Sequence, residues 1–407
     1  MGARKRGLLD FTQFKLRDSI LKGIKAAGFN EPTPIQEQAI GPAVQGRDVM
    51  GLAQTGTGKT AAFVLPILNR LITSAPGRVR ALVIAPTREL AEQIHADTKR
   101  LACFTRLRSA TVYGGVGLAP QAEQLRGKAD IIVACPGRLL DHIRRGHTNF
   151  DAIEVLVIDE ADQMFDMGFF PDIRTILGYL RGRRQTLLFS ATMPPPIRRM
   201  ADEVLRNPLM VQVGQAAPAD TVRHTLFPVP RTLKTELLLD LLSRTPAASV
   251  LVFTRTKHRT KHLSEKLCRA GYRSACLQGN LSQNRRLAAL EGFRSGKFQI
   301  LVATDIAARG IDISRVSHVV NYDMPDTPEA YIHRTGRTGR MLRKGDAFTL
   351  TTGDDTVMVK AIHRMVAGRV ETRTLEGFDY TLRGSVIGAH PGTSSRRAPF
   401  RPRRMSL

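Results

Sequence analysis

The sequence has no tryptophan, only four cysteines, and 6% aromatic residues across 407 positions. Cys103, Cys135, Cys268 and Cys276 form no Cys-x-x-Cys pair and are too scattered for a disulfide framework or a zinc site, so both classes drop out. Acidic residues are scarce too: 36 Asp and Glu stand against 61 Lys and Arg, a formal net charge of +25. Such a surplus favours polyanions, nucleic acid ahead of anionic membrane, because binding them releases condensed counterions. Long apolar runs are also missing. No stretch approaches the roughly 18 residues of a membrane span, and residues 1–10 are basic without the apolar segment of a secretory signal. The expectation is a cytoplasmic protein with reduced thiols and no membrane partner. Material for a core is present, with 42% hydrophobic residues, over a length that predicts two to three domains at roughly 150 residues each.

Short apolar runs ending in small or polar residues recur at 48–53, 81–85, 130–134, Val155–Ile158 and 186–189. Strands buried on both faces of a parallel sheet read this way. Amphipathic stretches separate them; Leu90, Ile94 and Leu101, for example, share one helical face. A second series follows at 249–253, 299–303, His318–Asn321 and 346–350. The reading is an α/β chain of two parallel-sheet lobes. Pro208, Gly214 and Pro218 punctuate a stretch without helical period. The expected bounds are 1–207 for the first lobe, 208–221 for a flexible linker and 222–368 for the second lobe. Residues 369–407 are expected to form a basic, disordered tail, with Arg396, Arg397, Arg401, Arg403 and Arg404 set among Pro and Ser.

Ala53-Gln54-Thr55-Gly56-Thr57-Gly58-Lys59-Thr60 lies between one of these apolar runs and an apolar-rich segment with helical character. Glycines let backbone N–H groups approach phosphates at a helix N-terminus, Lys59 can reach the β- and γ-phosphates, and Thr60 offers Mg²⁺ a hydroxyl. The strict pattern has Gly where Ala53 stands. A magnesium nucleotide site also needs a carboxylate at the end of a second buried strand, and Val155–Ile158 delivers Asp159-Glu160-Ala161-Asp162 there. Asp159 is placed to hold the metal and Glu160 to orient or deprotonate an attacking water.

Asp159-Glu160-Ala161-Asp162, Ser190-Ala191-Thr192 and His333-Arg334-Thr335-Gly336-Arg337-Thr338-Gly339-Arg340 resemble, in that order, the DEAD-box family of ATP-dependent RNA helicases. The resemblance runs over residues 11–366. It implies two RecA-like lobes joined by a flexible linker, the helicase superfamily 2 core, with ATP and Mg²⁺ as cofactors and RNA as partner. It also implies an adenine-reading segment in Phe11, Phe29 and Pro32-Thr33-Pro34-Ile35-Gln36, where the Gln36 amide can donate and accept at the adenine edge and Phe29 offers a stacking face. Nucleotide contacts are then expected from Phe29, Gln36, Thr55, Gly56, Thr57, Gly58, Lys59, Thr60 and Asp312, and metal contacts from Thr60 and Asp159. Implied RNA contacts are Pro86, Thr87, Arg88, Gly115, Gly137, Arg138, Arg286 and Thr304, in loops where N–H groups and Arg meet phosphates without reading bases. Cys135 replaces the family's usual Thr, and Gln278 its frequent His. Asp162, Ser190, Thr192 and His333 are implied to couple the ATP and RNA sites.

The loop after Val250–Phe253, Thr254-Arg255-Thr256-Lys257, reads as the second lobe's counterpart of the phosphate loop and lacks Gly-Lys-Thr. One ATP per chain, held between the lobes, is the expectation. Arg337 and Arg340, about one helical turn apart if that segment is helical, would then reach the γ-phosphate on closure and join Lys59, Asp159 and Glu160 as the catalytic set. The expected activity is RNA-stimulated ATP hydrolysis by a monomer that unwinds short duplexes or remodels ribosomal or RNA-decay ribonucleoprotein. An ATP-gated RNA clamp and an annealing protein with little unwinding are the other two readings.

Overall fold

The computed structural model describes residues 10–54, 56–73, 77–126, 129–182, 184–213, 222–245, 248–308, 316–339, 345–366 and 369–381. The first sheet comprises β1 (Val49–Leu52), β2 (Ala81–Ile84), β3 (Ser109–Val112), β4 (Ile131–Ala134), β5 (Val155–Ile158), β6 (Gln185–Ser190) and β7 (Leu209–Gln212). The second comprises β8 (Val222–Pro228), β9 (Val250–Phe253), β10 (Ser274–Leu277), β11 (Ile300–Ala303), β12 (His318–Asn321), β13 (Gly345–Thr351) and β14 (Val370–Thr372). The pairings β1 with β6, β2 with β5 and β9 with β12 are parallel, as are the rest between these strands. Helices cover both faces, so alternate residues of one strand enter opposite cores: Ala81 and Val83 join one apolar cluster, Leu82 and Ile84 the other. Among the described residues no helix is long and apolar enough to cross a membrane.

The sheet orders are β3-β4-β2-β5-β6-β1-β7 and β10-β11-β9-β12-β13-β8-β14. Strand for strand they are the same, which makes β8 the counterpart of β1. The sequence reading that put the second phosphate-loop position after Val250–Phe253 is therefore corrected: β9 corresponds to β2, and the matching segment follows β8. The reading went astray because β8 carries Arg223, His224 and Thr225, which break the continuous apolar run that marks a doubly buried strand.

Two boundaries also shift. Leu209–Gln212 pairs with β1, so the first sheet extends past the expected end at 207, and the start of the expected linker at 208 is too early. Val370–Thr372 pairs with β8, and Leu375, Phe378 and Tyr380 pack against the second core, so the second lobe continues beyond 368 and residues 369–381 are not a disordered tail. Residues 214–221 of the expected linker and 382–407 of the expected tail lie outside the described residues.

Candidate active site

The phosphate loop leaves β1 and turns into the helix Lys59–Leu71. Gly56 and Gly58 have φ of 85° and 92°, the left-handed region where a side chain is strained. A Cβ on Gly58 would also press on the Gln36 amide. That amide is buried: its Nε2 donates to the Gly58 carbonyl at 3.0 Å and its Oε1 accepts from the Thr33 N–H at 3.0 Å. The adenine-reading segment and the phosphate loop are thus one hydrogen-bonded unit. Phe29 is half-buried, edge-on to Phe11 at 6.4 Å, with the Arg100 guanidinium 5.5 Å from its ring centre. Thr57 Oγ1 donates to the Gln54 carbonyl at 2.8 Å. Thr55 lies outside the described residues, as do Asp312 and Arg340.

Lys59 is buried, and its Nζ donates to the Ala53 carbonyl at 2.9 Å. Asp159 emerges from β5 nearby, and its Oδ1 accepts from the Glu160 N–H at 3.0 Å. Burial raises the Asp159 carboxyl above the ordinary carboxylate range; Lys59 opposes the rise, and Glu160 and Asp162 add to it. Glu160 sits at φ 54°, ψ 53°, an unusual conformation for a residue with a Cβ, and begins the helix Ala161–Asp166. Strain of this kind is retained where surrounding structure over-determines it. The Asp159 carboxylate and the Thr60 hydroxyl, next to Lys59 in sequence, are hard-oxygen donors of the kind Mg²⁺ takes. Burial, with the nearby acids adding to it, raises Asp159, and a divalent cation would offset both, so the residues fit that ion.

Asp162 takes no part in that donor set. Its Oδ2 accepts from Ala191 N–H at 3.1 Å, Thr192 N–H at 2.9 Å and Thr192 Oγ1 at 3.2 Å. Ser190 Oγ accepts from the Asp162 N–H at 3.2 Å and donates to the Thr192 carbonyl at 2.7 Å. The ends of β5 and β6 are locked together. His333, from the second lobe, faces the same place: burial lowers its pKa, while Asp162, Asp166 and Glu160 of the first lobe raise it and neighbouring Arg337 lowers it. Arg337 is buried at the same junction.

The expected RNA residues gather at the carboxyl ends of the first sheet. Pro86 and Thr87 precede the helix Arg88–Leu101, whose N-cap is Thr87, with Oγ1 accepting from the Leu90 N–H at 3.3 Å. Gly115, at φ 83°, lies so close to Arg88 that a Cβ would collide with its guanidinium. Arg138 donates to the Val116 carbonyl at 2.8 Å and comes from the helix Pro136–Arg144, whose second residue is Gly137. These loops form one group. Cys135 is the N-cap of that last helix and makes no side-chain capping bond. Burial pushes its thiol up to about 12. Thr304 is half-buried at the end of β11.

Arg286 makes a contact that sequence reading did not expect. Its side chain is 11% exposed, and Nε donates to Glu89 Oε1 of the first lobe at 2.6 Å, so it ties the lobes together. The physical cause is Glu89, a buried carboxylate that needs a cationic partner. Sequence reading gave Glu89, in the first turn of the helix Arg88–Leu101, no part in joining the lobes. It also passed over Arg334, which is buried, pairs through both Nε and Nη2 with Asp305, donates to the Asp323 carbonyl at 2.7 Å, and lies 5.0 Å from the Phe253 ring centre. Arg334 holds the helix Pro328–Thr335 that carries His333.

Comparison with known proteins agrees with this geometry. The description "DEAD/DEAH box helicase" matches residues 33–200, and "Helicase conserved C-terminal domain" matches residues 233–342. The DEAD-box ATP-dependent RNA helicase RhpA of Helicobacter pylori is 44% identical over 343 residues, covering 84% of this chain and 69% of RhpA. Yeast Dbp5 bound to RNA and ADP BeF3 superposes with a TM-score of 0.81 at 31% identity, covering 90% of this chain and 95% of Dbp5. A form of Dbp5 bound to Nup159, Gle1, IP6 and ADP gives 0.62 at 30% identity, covering 90% and 96%, so the lobes are arranged more as in the RNA complex. On its matched domains, its motifs and its two like-ordered sheets, this chain belongs to the DEAD-box family of ATP-dependent RNA helicases.

Proposed function

We propose that the chain hydrolyses ATP in the cleft between its lobes and uses the cycle to separate short RNA duplexes locally, without reading their sequence. The observation that carries this reading is the approach of His333, with Arg337 beside it, to Glu160, Asp162 and Asp166 across the lobe boundary. Lys59 and the glycine loop bind the triphosphate, and Gln36 and Phe29 receive the base. Thr60 and Asp159 would hold Mg²⁺, which supplies charge neutralisation on the phosphate oxygens. Glu160 orients the attacking water and accepts its proton. Arg337 neutralises charge that develops on the γ-phosphoryl group, and Arg340 is proposed for the same task. Asp162, Ser190, Thr192 and His333 link this state to the RNA loops of Arg88, Gly115 and Arg138.

Closing the cleft requires both ligands, because each contributes contacts to both lobes. RNA bent to fit one rigid track of backbone contacts leaves its partner strand; phosphate release then reopens the lobes. The test is strand displacement with Glu160→Gln. ATP binding should persist while multiple-turnover unwinding and RNA-stimulated hydrolysis fall at least about 100-fold, the usual scale for loss of a general base. Near-normal hydrolysis would remove Glu160 from this role.

A further inference from the structure

The like order of the two sheets exposes a repeat that sequence reading did not find. In the first lobe, Lys59 and Thr60 open the helix that follows β1. In the second, Lys234 and Thr235 open the helix Lys234–Arg244 that follows β8, the counterpart of β1. Asp159 directly follows β5, and Asp323 follows β12 one residue further on, at the register of Glu160. A Lys-Thr pair at a helix start and an Asp beyond a central strand therefore occur in both lobes.

A cavity of ≈ 70 Å³ opens at this second position. It lies at the carboxyl ends of β8, β9, β12 and β13, beside the point where the chain leaves β9 for one side of the sheet while β12 lies on the other. Open α/β sheets bind ligands at such switch points. Arg231, Lys234, Arg255 and Arg259 line it against Asp323 and Asp355, a surplus of two positive charges from four minus two. Both acids are already engaged. Asp323 accepts from Arg259 Nη1 at 2.6 Å and from the Arg255 N–H at 2.9 Å. Asp355 accepts from Thr352 N–H at 2.7 Å and Oγ1 at 2.8 Å. Lys234 is buried and donates to the Tyr322 carbonyl at 3.0 Å and the Leu350 carbonyl at 3.2 Å, which leaves one of its three protons.

The differences from the first lobe define the ligand. The connection is Val229-Pro230-Arg231-Thr232-Leu233, with no glycine and with a proline that has no N–H. Such a connection is ill suited to a backbone cradle for a triphosphate, and the guanidinium groups of Arg231, Arg255 and Arg259 line the cavity instead. The cavity is also far below the roughly 300 Å³ at which small-molecule pockets begin, yet it has room for several waters at about 10–15 Å³ each. We propose that it binds one phosphate group, either inorganic phosphate or a terminal phosphate monoester, as a reduced counterpart of the ATP phosphate site.

The experiment titrates inorganic phosphate against the full chain carrying Lys59→Ala, which silences the first-lobe loop. Ionic strength is held constant with chloride, and ³¹P line width and melting temperature are followed. Saturable binding should remain, and adding Arg231→Gln and Arg255→Gln should weaken it at least about tenfold, the scale of one lost charge-assisted hydrogen bond. Both arginines are exposed enough to leave the fold intact, Arg255 at 51% of its side chain; Arg231→Gln alone serves if the combined variant melts early. Comparing 5′-phosphorylated with 5′-hydroxyl RNA separates the sources. A preference for the former that disappears with the arginine substitutions assigns an RNA end, and equal affinity assigns free phosphate. Absence of saturable phosphate binding in the Lys59→Ala chain, or binding indifferent to the arginine substitutions, overturns the proposal.

Discussion

Gln36 illustrates how one residue serves two elements. Its position in the Pro-Thr-Pro-Ile-Gln segment was legible, and so was its capacity to meet an adenine edge. Its bond to the Gly58 carbonyl was not, because nothing in a linear sequence announces a contact 22 residues away. The two bonds use one of its two amide protons and one of two lone pairs, and the others remain for the base. Gln36→Ala should therefore do more than relax the preference for ATP over GTP. It should also free the phosphate loop, raising KM for ATP roughly tenfold and costing about 1 kcal/mol of stability, the scale of one lost hydrogen bond. Steady-state kinetics with both nucleotides and a denaturant melt check this; lost discrimination with unchanged stability would confine Gln36 to the base. Glu160 was likewise legible as an acid after a buried strand, whereas its left-handed backbone was not, since Glu carries no preference for positive φ.

At the level of elements, legibility followed burial. β2, β4, β5, β9 and β11 are buried throughout and were evident as apolar runs. The edge strands β3, β7, β10 and β14 are only partly buried and were not identified as strands; β7 fell in the expected linker and β14 in the expected tail. This is why the lobe boundaries were drawn too narrowly at 207 and 368. The helix Pro136–Arg144 offers a direct test of local design. Its N-cap, Cys135, has extended backbone geometry, φ −90° and ψ 140°, suited to a capping hydroxyl that a thiol replaces poorly. Cys135→Thr should add about 1 kcal/mol of stability, within the measured range for N-cap exchange. It should also tighten RNA binding, because the same helix start carries Gly137 and Arg138. A melting curve and an RNA titration read both effects; a destabilised variant would mean that the cavity around the buried thiol rejects the hydroxyl.

At the scale of the whole molecule, polar contacts join the two lobes. Glu89 and Arg286 form a charged pair between them, at 2.6 Å with both side chains largely buried. Pairs of this kind are costly to break singly, by about 3–5 kcal/mol, because one charge is left unpaired. Glu89→Gln or Arg286→Met should lower RNA-stimulated ATPase roughly 100-fold or more on that scale. The double variant should recover part of the loss, and basal ATPase should change little. Additive losses would show that each residue acts alone, with Arg286 serving RNA as sequence reading expected.

The central claim is that one lobe grips the nucleotide and the other completes its hydrolysis. Arg337→Gln addresses it most directly, through single-turnover ATP hydrolysis measured at saturating RNA alongside ATP affinity. The account predicts affinity within a few-fold of the unaltered chain and a hydrolysis rate lower by about 10³ or more, as for removal of an arginine finger. Hydrolysis at the unaltered rate would contradict it.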